Sequence, residues 1–116
     1  MVYIASPYNH ENLAQVELNY VLVTLYVTEL VSKGITAISP ITYGHTLLKF
    51  KEMPSTWEFW NKFCISILEK CDELWVYKIP GWAWSKGVTE EIEFAINNNI
   101  PIKYIEYNET TSTTTS

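Results

Sequence analysis

No apolar run in this 116-residue chain approaches the about 20 residues that a membrane span requires. The nearest candidate, Leu18 to Leu25, is interrupted by Asn19 and Thr24. Met1-Val2-Tyr3-Ile4-Ala5 has no basic start and soon meets Pro7, so it does not read as a secretory leader. Basic residues are scarce. Eight Lys and Arg face 13 Asp and Glu, for a formal net charge of −5 and a pI near 4.9. A polymeric nucleic acid needs a basic face, so it is not an expected partner, whereas a small anion held by backbone amides at a helix start still is. Cysteine is limited to Cys64 and Cys71. Seven apart on one expected helix, they would stand about 10 Å from each other, too far for a disulfide. They read as reduced core thiols, and the expected location is the cytoplasm. His10 and His45 have no Cys or carboxylate at metal-ligand spacing, so neither a zinc site nor a cofactor is expected.

What the sequence does have is apolar and aromatic surface. Apolar residues make up 47% against 18% charged, with five Trp, eight Tyr and four Phe, which argues for one compact domain with rings to line a pocket or an interface. Val2-Tyr3-Ile4-Ala5 reads as a first strand and Ser6-Pro7-Tyr8-Asn9 as a turn. From about Glu11 to Ser32, Leu13, Val16, Tyr20, Val23, Val27, Leu30 and Val31 recur at helical spacing, and Gly34 stands where a C-terminal cap belongs. Ile35 to Ser39 reads as a second strand stopped by Pro40, and Ile41 to Ser55 as a loop with a short helical turn. Ser55 or Thr56 is placed to cap a helix running through Cys71, followed by a strand at Glu73 to Tyr77. Another helix, ending near Asn97 to Asn99, and a strand at Ile100 to Ile105 complete the pattern. Asp72, between helix and strand, is expected to satisfy amides at that junction. The polar stretch 108–116 is expected to be disordered.

Strands alternating with helices over short connections predict a three-layer α/β domain, with a parallel sheet of four to five strands and helices on both faces. In such a sheet the loops at the carboxyl ends of the strands converge on one crevice. Those loops hold Ser6-Pro7-Tyr8, Pro40 to His45, and Trp82 to Gly87. Ser85 and Gly87 precede the last helix, whose amides favour a phosphate or carboxylate. The spacing is not that of the phosphate loop of nucleotide triphosphatases. Of the three carboxylates in the first turns, Glu91 falls on the packed side at the pocket end. There it is able to attack or stabilise a carbon with developing positive charge, while Glu90 and Glu93 are expected to be solvated.

Tyr3-Ile4-Ala5-Ser6-Pro7-Tyr8, Ser39-Pro40-Ile41 with His45, Trp57-Glu58-Phe59-Trp60, Cys71 to Val76, Gly81-Trp82, Ser85-x-Gly87-Val88 and Glu91-Ile92 together resemble the DUF1937 family. That group is similar to the nucleoside 2-deoxyribosyltransferases and the 2'-deoxynucleoside 5'-monophosphate N-glycosidases, and the resemblance runs to about Tyr107. It implies a flavodoxin-like, Rossmann-like sheet and a nucleoside or nucleotide crevice, commonly completed across a homodimer. It also implies cleavage of an N-glycosidic bond with Glu91 as nucleophile, Tyr3 beside it, Ser85 at the 5'-phosphate and the Ser6 to Asn9 loop bordering that phosphate. Trp57, Trp60 and Trp82 are candidates to stack on the base. The sequence departs from the family's pattern twice: Cys64 stands where an aspartate assists the leaving base, and Asn19 where a basic residue is often found. Those departures keep open the reading of a catalytically silent nucleotide-binding module, and the tryptophans, if exposed, that of a protein-interaction domain.

Overall fold

The computed structural model describes residues 1–108; most of the polar tail lies outside the described residues. The order of elements is β1 (Val2–Ala5), α1 (Leu13–Ser32), β2 (Ala37–Ile38), α2 (Pro40–Leu48), α3 (Trp57–Leu68), β3 (Glu73–Tyr77), a 3-10 turn (Trp82–Trp84), α4 (Lys86–Asn97) and β4 (Ile102–Ile105). The four strands form one parallel sheet in the order β2-β1-β3-β4. This is the strand order of flavodoxin-like sheets, which place their ligand crevice where β1 and β3 part in opposite directions.

Period-two alternation along the central strands assigns the two cores. Tyr3 and Ala5 of β1 join Leu74 and Val76 of β3 in a core with Leu68, Val88 and Ala95, so α3 and α4 cover this face. Val2 and Ile4 face the other way and pack with Val23 and Leu30 of α1. The sheet is therefore sandwiched between α1 and the α3/α4 pair, the three layers expected.

Each helix begins on a polar cap. Asn12, Ser39, Thr56 and Ser85 accept hydrogen bonds from the backbone N–H of Ala14, Thr42, Phe59 and Val88. Pro40 is the first residue of α2, where its fixed φ and missing N–H suit a helix start. The expected loop with a short turn is thus a helix over 40–48. Gly44 lets it approach α3: a Cβ there would lie 3.0 Å from the Trp60 ring. Along α1 the buried line runs Asn19, Val23, Leu30, whereas Leu13 and Val31, expected on the packed stripe, are 80% and 54% exposed. α3 ends at Leu68, so Cys71 lies beyond the helix; both cysteines are free. Asp72 meets the amine of Met1 at 2.5 Å instead of amides of its own junction. Gly34 takes a φ of 87° just after α1, as a left-handed cap requires.

Candidate functional site

A cavity of about 640 Å³ opens at the carboxyl edge of the sheet. Ala5 and Ser6 belong to its lining at the end of β1, with α2, the start of α3 and the first turns of α4 around them. Tyr3 points toward the α3/α4 layer because β1 alternates, and Glu91 reaches it from the buried face of α4. The Tyr3 hydroxyl donates a hydrogen bond to the Glu91 carboxylate, joining residues 88 apart in the chain. Tyr3 is fully buried and Glu91 is 5% exposed.

Removal from water dominates the electrostatics of this pair. Burial pushes the Glu91 carboxyl up to about 8, against the opposing pull of the Tyr3 hydrogen bond. Burial, and then the nearby Glu91, hold the Tyr3 hydroxyl well above its ordinary range. Cys64 on α3 neighbours both groups and lines the cavity. Its thiol is driven up to about 12, first by burial and then by Glu91, with Tyr3 opposing. At neutral pH it is a protonated thiol, neither a carboxylate nor a nucleophile. Glu93 is exposed as expected, but Glu90 is half-buried.

The cavity lining also takes in Tyr8, Pro40, His45, Trp57, Trp60, Ser85 and Gly87 from the sequence reading. The Tyr8 hydroxyl and His45 Nδ1 are 2.7 Å apart, and His45 Nε2 is 3.0 Å from the Glu17 carboxylate. The Tyr20 ring stacks on the imidazole at 4.1 Å. Glu17 was invisible in the sequence because nothing local to α1 announces that α2 brings a histidine to it. Trp60 lines the wall but its indole N–H is taken by the Pro54 carbonyl at 2.8 Å, which anchors the loop before α3. The Trp57 ring carries the Lys86 ammonium 4.0 Å from its centroid. Ser85 Oγ accepts from Val88 N–H as the α4 cap, which leaves its own O–H free to donate toward the cavity. At Gly87 an added Cβ would meet only Ser85 Oγ, at 3.9 Å, so the bare backbone keeps this part of the cavity open.

Two expected lining residues sit elsewhere. Trp82 packs on the core and tilts against Tyr104 at 5.8 Å, and Trp84, 89% exposed, stands at the mouth in its place. Three-residue 3-10 geometry turns positions 82 and 84 in different directions, a distinction that the Trp-Ala-Trp spacing does not reveal. Pro7 lines an adjoining cavity of about 450 Å³, which shares Asn9, His10, Trp84 and Ser85 with the first. Asn19 is also there; its amide donates to the Tyr8 carbonyl at 3.2 Å and accepts from Gln15 at 3.0 Å, so it braces the loop after β1. Asn61 was missed entirely. It lines the main cavity one turn after Trp57, and only the packing of α3 tells it from the other polar residues of that helix. Among the described residues, no group of three or more His, Cys, Asp or Glu is arranged to hold a metal ion.

Fold and site together define an α/β domain of flavodoxin-like strand order, with a buried Tyr–Glu pair beside a largely apolar crevice at its switch point. The chain belongs to the DUF1937 family, described as a domain of unknown function, which it matches over residues 1–107. No curated protein matches the chain.

Proposed function

We propose that this crevice cleaves the N-glycosidic bond of a 2'-deoxynucleoside or its 5'-monophosphate. The observation that carries the reading is the buried Glu91 carboxylate, hydrogen-bonded by Tyr3 beside a cavity of about 640 Å³, large enough for a nucleoside. The resemblance to deoxyribosyltransferases and N-glycosidases supports it. Ionised Glu91 attacks the anomeric carbon as the carbon–nitrogen bond breaks, with the bonding pair leaving on the base. Water, or the nitrogen of a second base, then displaces the carboxylate and completes hydrolysis or transfer. Tyr3 fixes the attacking oxygen, and Ser85 with the first amides of α4 holds the 5' end. The departing base takes its proton from water in the open crevice, since the Cys64 thiol is held too high to act as an acid and burial raises the Tyr8 hydroxyl as well. The partner is thus a small molecule and not a nucleic-acid polymer.

The test is chromatography of free base after incubation with a panel of deoxynucleosides and their monophosphates. Base should appear with the native protein. With Glu91→Gln it should fall by about three orders of magnitude or more. A 2-fluoro sugar substrate should add its glycosyl mass to Glu91. Cys64 favours a second reading, nucleotide binding without turnover, because a neutral thiol beside Glu91 supplies no acid or base. That reading predicts thermal stabilisation by a nucleotide with no base released and no labelled Glu91.

A further inference from the structure

Tyr8, in the loop after β1, is held at both ends. Its carbonyl accepts from the carboxamide of Asn19, a residue only 3% exposed, at 3.2 Å, and its hydroxyl lies 2.7 Å from His45 Nδ1. On the far side of the imidazole, Nε2 is 3.0 Å from the Glu17 carboxylate, and the Tyr20 ring stacks on the face at 4.1 Å. Lys49 reaches the same carboxylate at 4.0 Å and the Tyr20 ring at 5.5 Å. A carboxylate accepts and does not donate, so Nε2 carries a proton. In the neutral ring Nδ1 is then bare, and the Tyr8 O–H donates to it. Burial, and then Glu17, raise the Tyr8 hydroxyl above its ordinary range, so this proton stays on oxygen. With that proton turned toward His45, the phenol oxygen has lone pairs left to offer. Tyr8 is half-buried and lines the main cavity together with His45. Asn9, the next residue, lines both cavities with Ser85, which puts Tyr8 toward the end of the crevice assigned to the sugar and its 5' group. An acceptor fixed in advance at both ends costs little ordering when a donor meets it.

We infer that Glu17, through His45, sets the Tyr8 hydroxyl as a hydrogen-bond acceptor at the cavity wall, and that it receives the 3'-hydroxyl of the sugar. A 2'-deoxynucleoside has two hydroxyls, and with the 5' end at Ser85 the 3'-hydroxyl is the donor that remains. Glu17 is a positioning residue, since it acts on the ligand through His45 and Tyr8. The inference rests on the base-cleaving reading above, and its test separates the two. Proton–nitrogen correlation spectra of the unliganded protein in mildly alkaline buffer should show the His45 ring protonated at Nε2 alone. Glu17→Leu should leave that proton shared between the two nitrogens, whereas Glu17→Gln, which keeps an acceptor oxygen, should hold it on Nε2. Dissociation constants are then measured with Glu91→Gln protein for each of the four common 2'-deoxynucleosides against its 2',3'-dideoxy counterpart, or KM values with native protein where binding is too weak to titrate. The 3'-hydroxyl member should bind about tenfold more tightly. Adding Tyr8→Phe should bring the ratio to within about twofold; Glu17→Leu should lower it and Glu17→Gln should preserve it. Both ligands are titrated into the same variant, so a partly unfolded sample leaves the ratio intact. A His45 proton on Nδ1, equal binding of the dideoxy members, or a ratio unmoved by Tyr8→Phe overturns the assignment even where native protein releases base. Absence of binding by every ligand, together with no base release, overturns this inference and the glycosidase reading with it.

Discussion

Glu91 carries opposite demands on its proton. In the proposed reaction, attack on carbon requires the carboxylate, yet with a pKa pushed up to about 8 only about a tenth is ionised at neutral pH. The rate should therefore climb with pH until about 8 and then level, as read from kcat/KM across that range. Stability should move the other way. The folded chain keeps a proton on Glu91 that the unfolded chain loses near 4.5, so the contribution is full below about pH 4.5 and falls as pH rises to about 8. Glu91→Gln should flatten this part of the melting-temperature profile. Tyr3→Phe removes the hydrogen bond that opposes the upward shift, so the rising limb should move to higher pH. It should also cost roughly 1 to 3 kcal/mol in denaturant unfolding, because the buried carboxyl loses its partner. A limb that stays in place would show that Tyr3 does not set the ionisation of Glu91.

At the scale of elements, the start of α4 has a structural task and, under the proposed function, a binding one, and two substitutions at Ser85 separate them. Ser85→Ala removes the cap and should lower stability by about 1 kcal/mol, read from urea unfolding. Ser85→Asp keeps a capping oxygen and favourable charge at the helix start, so the fold should hold. Its carboxylate would repel an anion at the same place, and a nucleoside monophosphate should lose more affinity to it than the nucleoside does. Equal losses would detach the 5' end from this helix. The β3-to-α4 connection was legible in the sequence because its signals are local: the run of five strand residues, the loop with Gly81 and Ser85, and the periodic helix after it, which begins at Lys86 and so takes in the Gly87 expected ahead of it. α2 was not, because Thr42, Tyr43 and Gly44 are poor helix formers and Pro40 reads equally as a strand stop or a helix start. Its helix is held by what it packs against. Thr42 and Thr46 meet Thr24 and Tyr20 of α1, and Gly44 admits Trp60.

For the whole molecule, no helix among the described residues is long and apolar enough to cross a membrane. A homodimer remains a proposal drawn from the family resemblance. α1 provides a surface for it, since Leu18, Val21 and Leu25 are exposed at steps of three and four on one side of the helix. Sedimentation equilibrium should give twice the chain mass, and Leu25→Glu should return it to the monomer with little change in melting temperature. A native protein that sediments as a monomer at tens of micromolar would discard the dimer.

The sequence by itself determined the alternation of strands and helices, the cap of α3 at Ser55 or Thr56, and the separation of Glu91 from Glu93, because each depends on residues within a turn or a pleat of one another. The boundaries of α1 and α3 and the faces they present were less well defined, since a periodic stripe does not say where along its length the neighbouring layer ends. Tertiary structure alone decided which distant groups meet. Two crossovers and a parallel register carry Tyr3 to Glu91, helix packing sets His45 between Tyr8 and Glu17, and the 3-10 turn brings Trp84 to the cavity in place of Trp82. It also decided what Cys64 is. As a residue it is a thiol like any other; buried against Glu91 and Tyr3, it is held protonated.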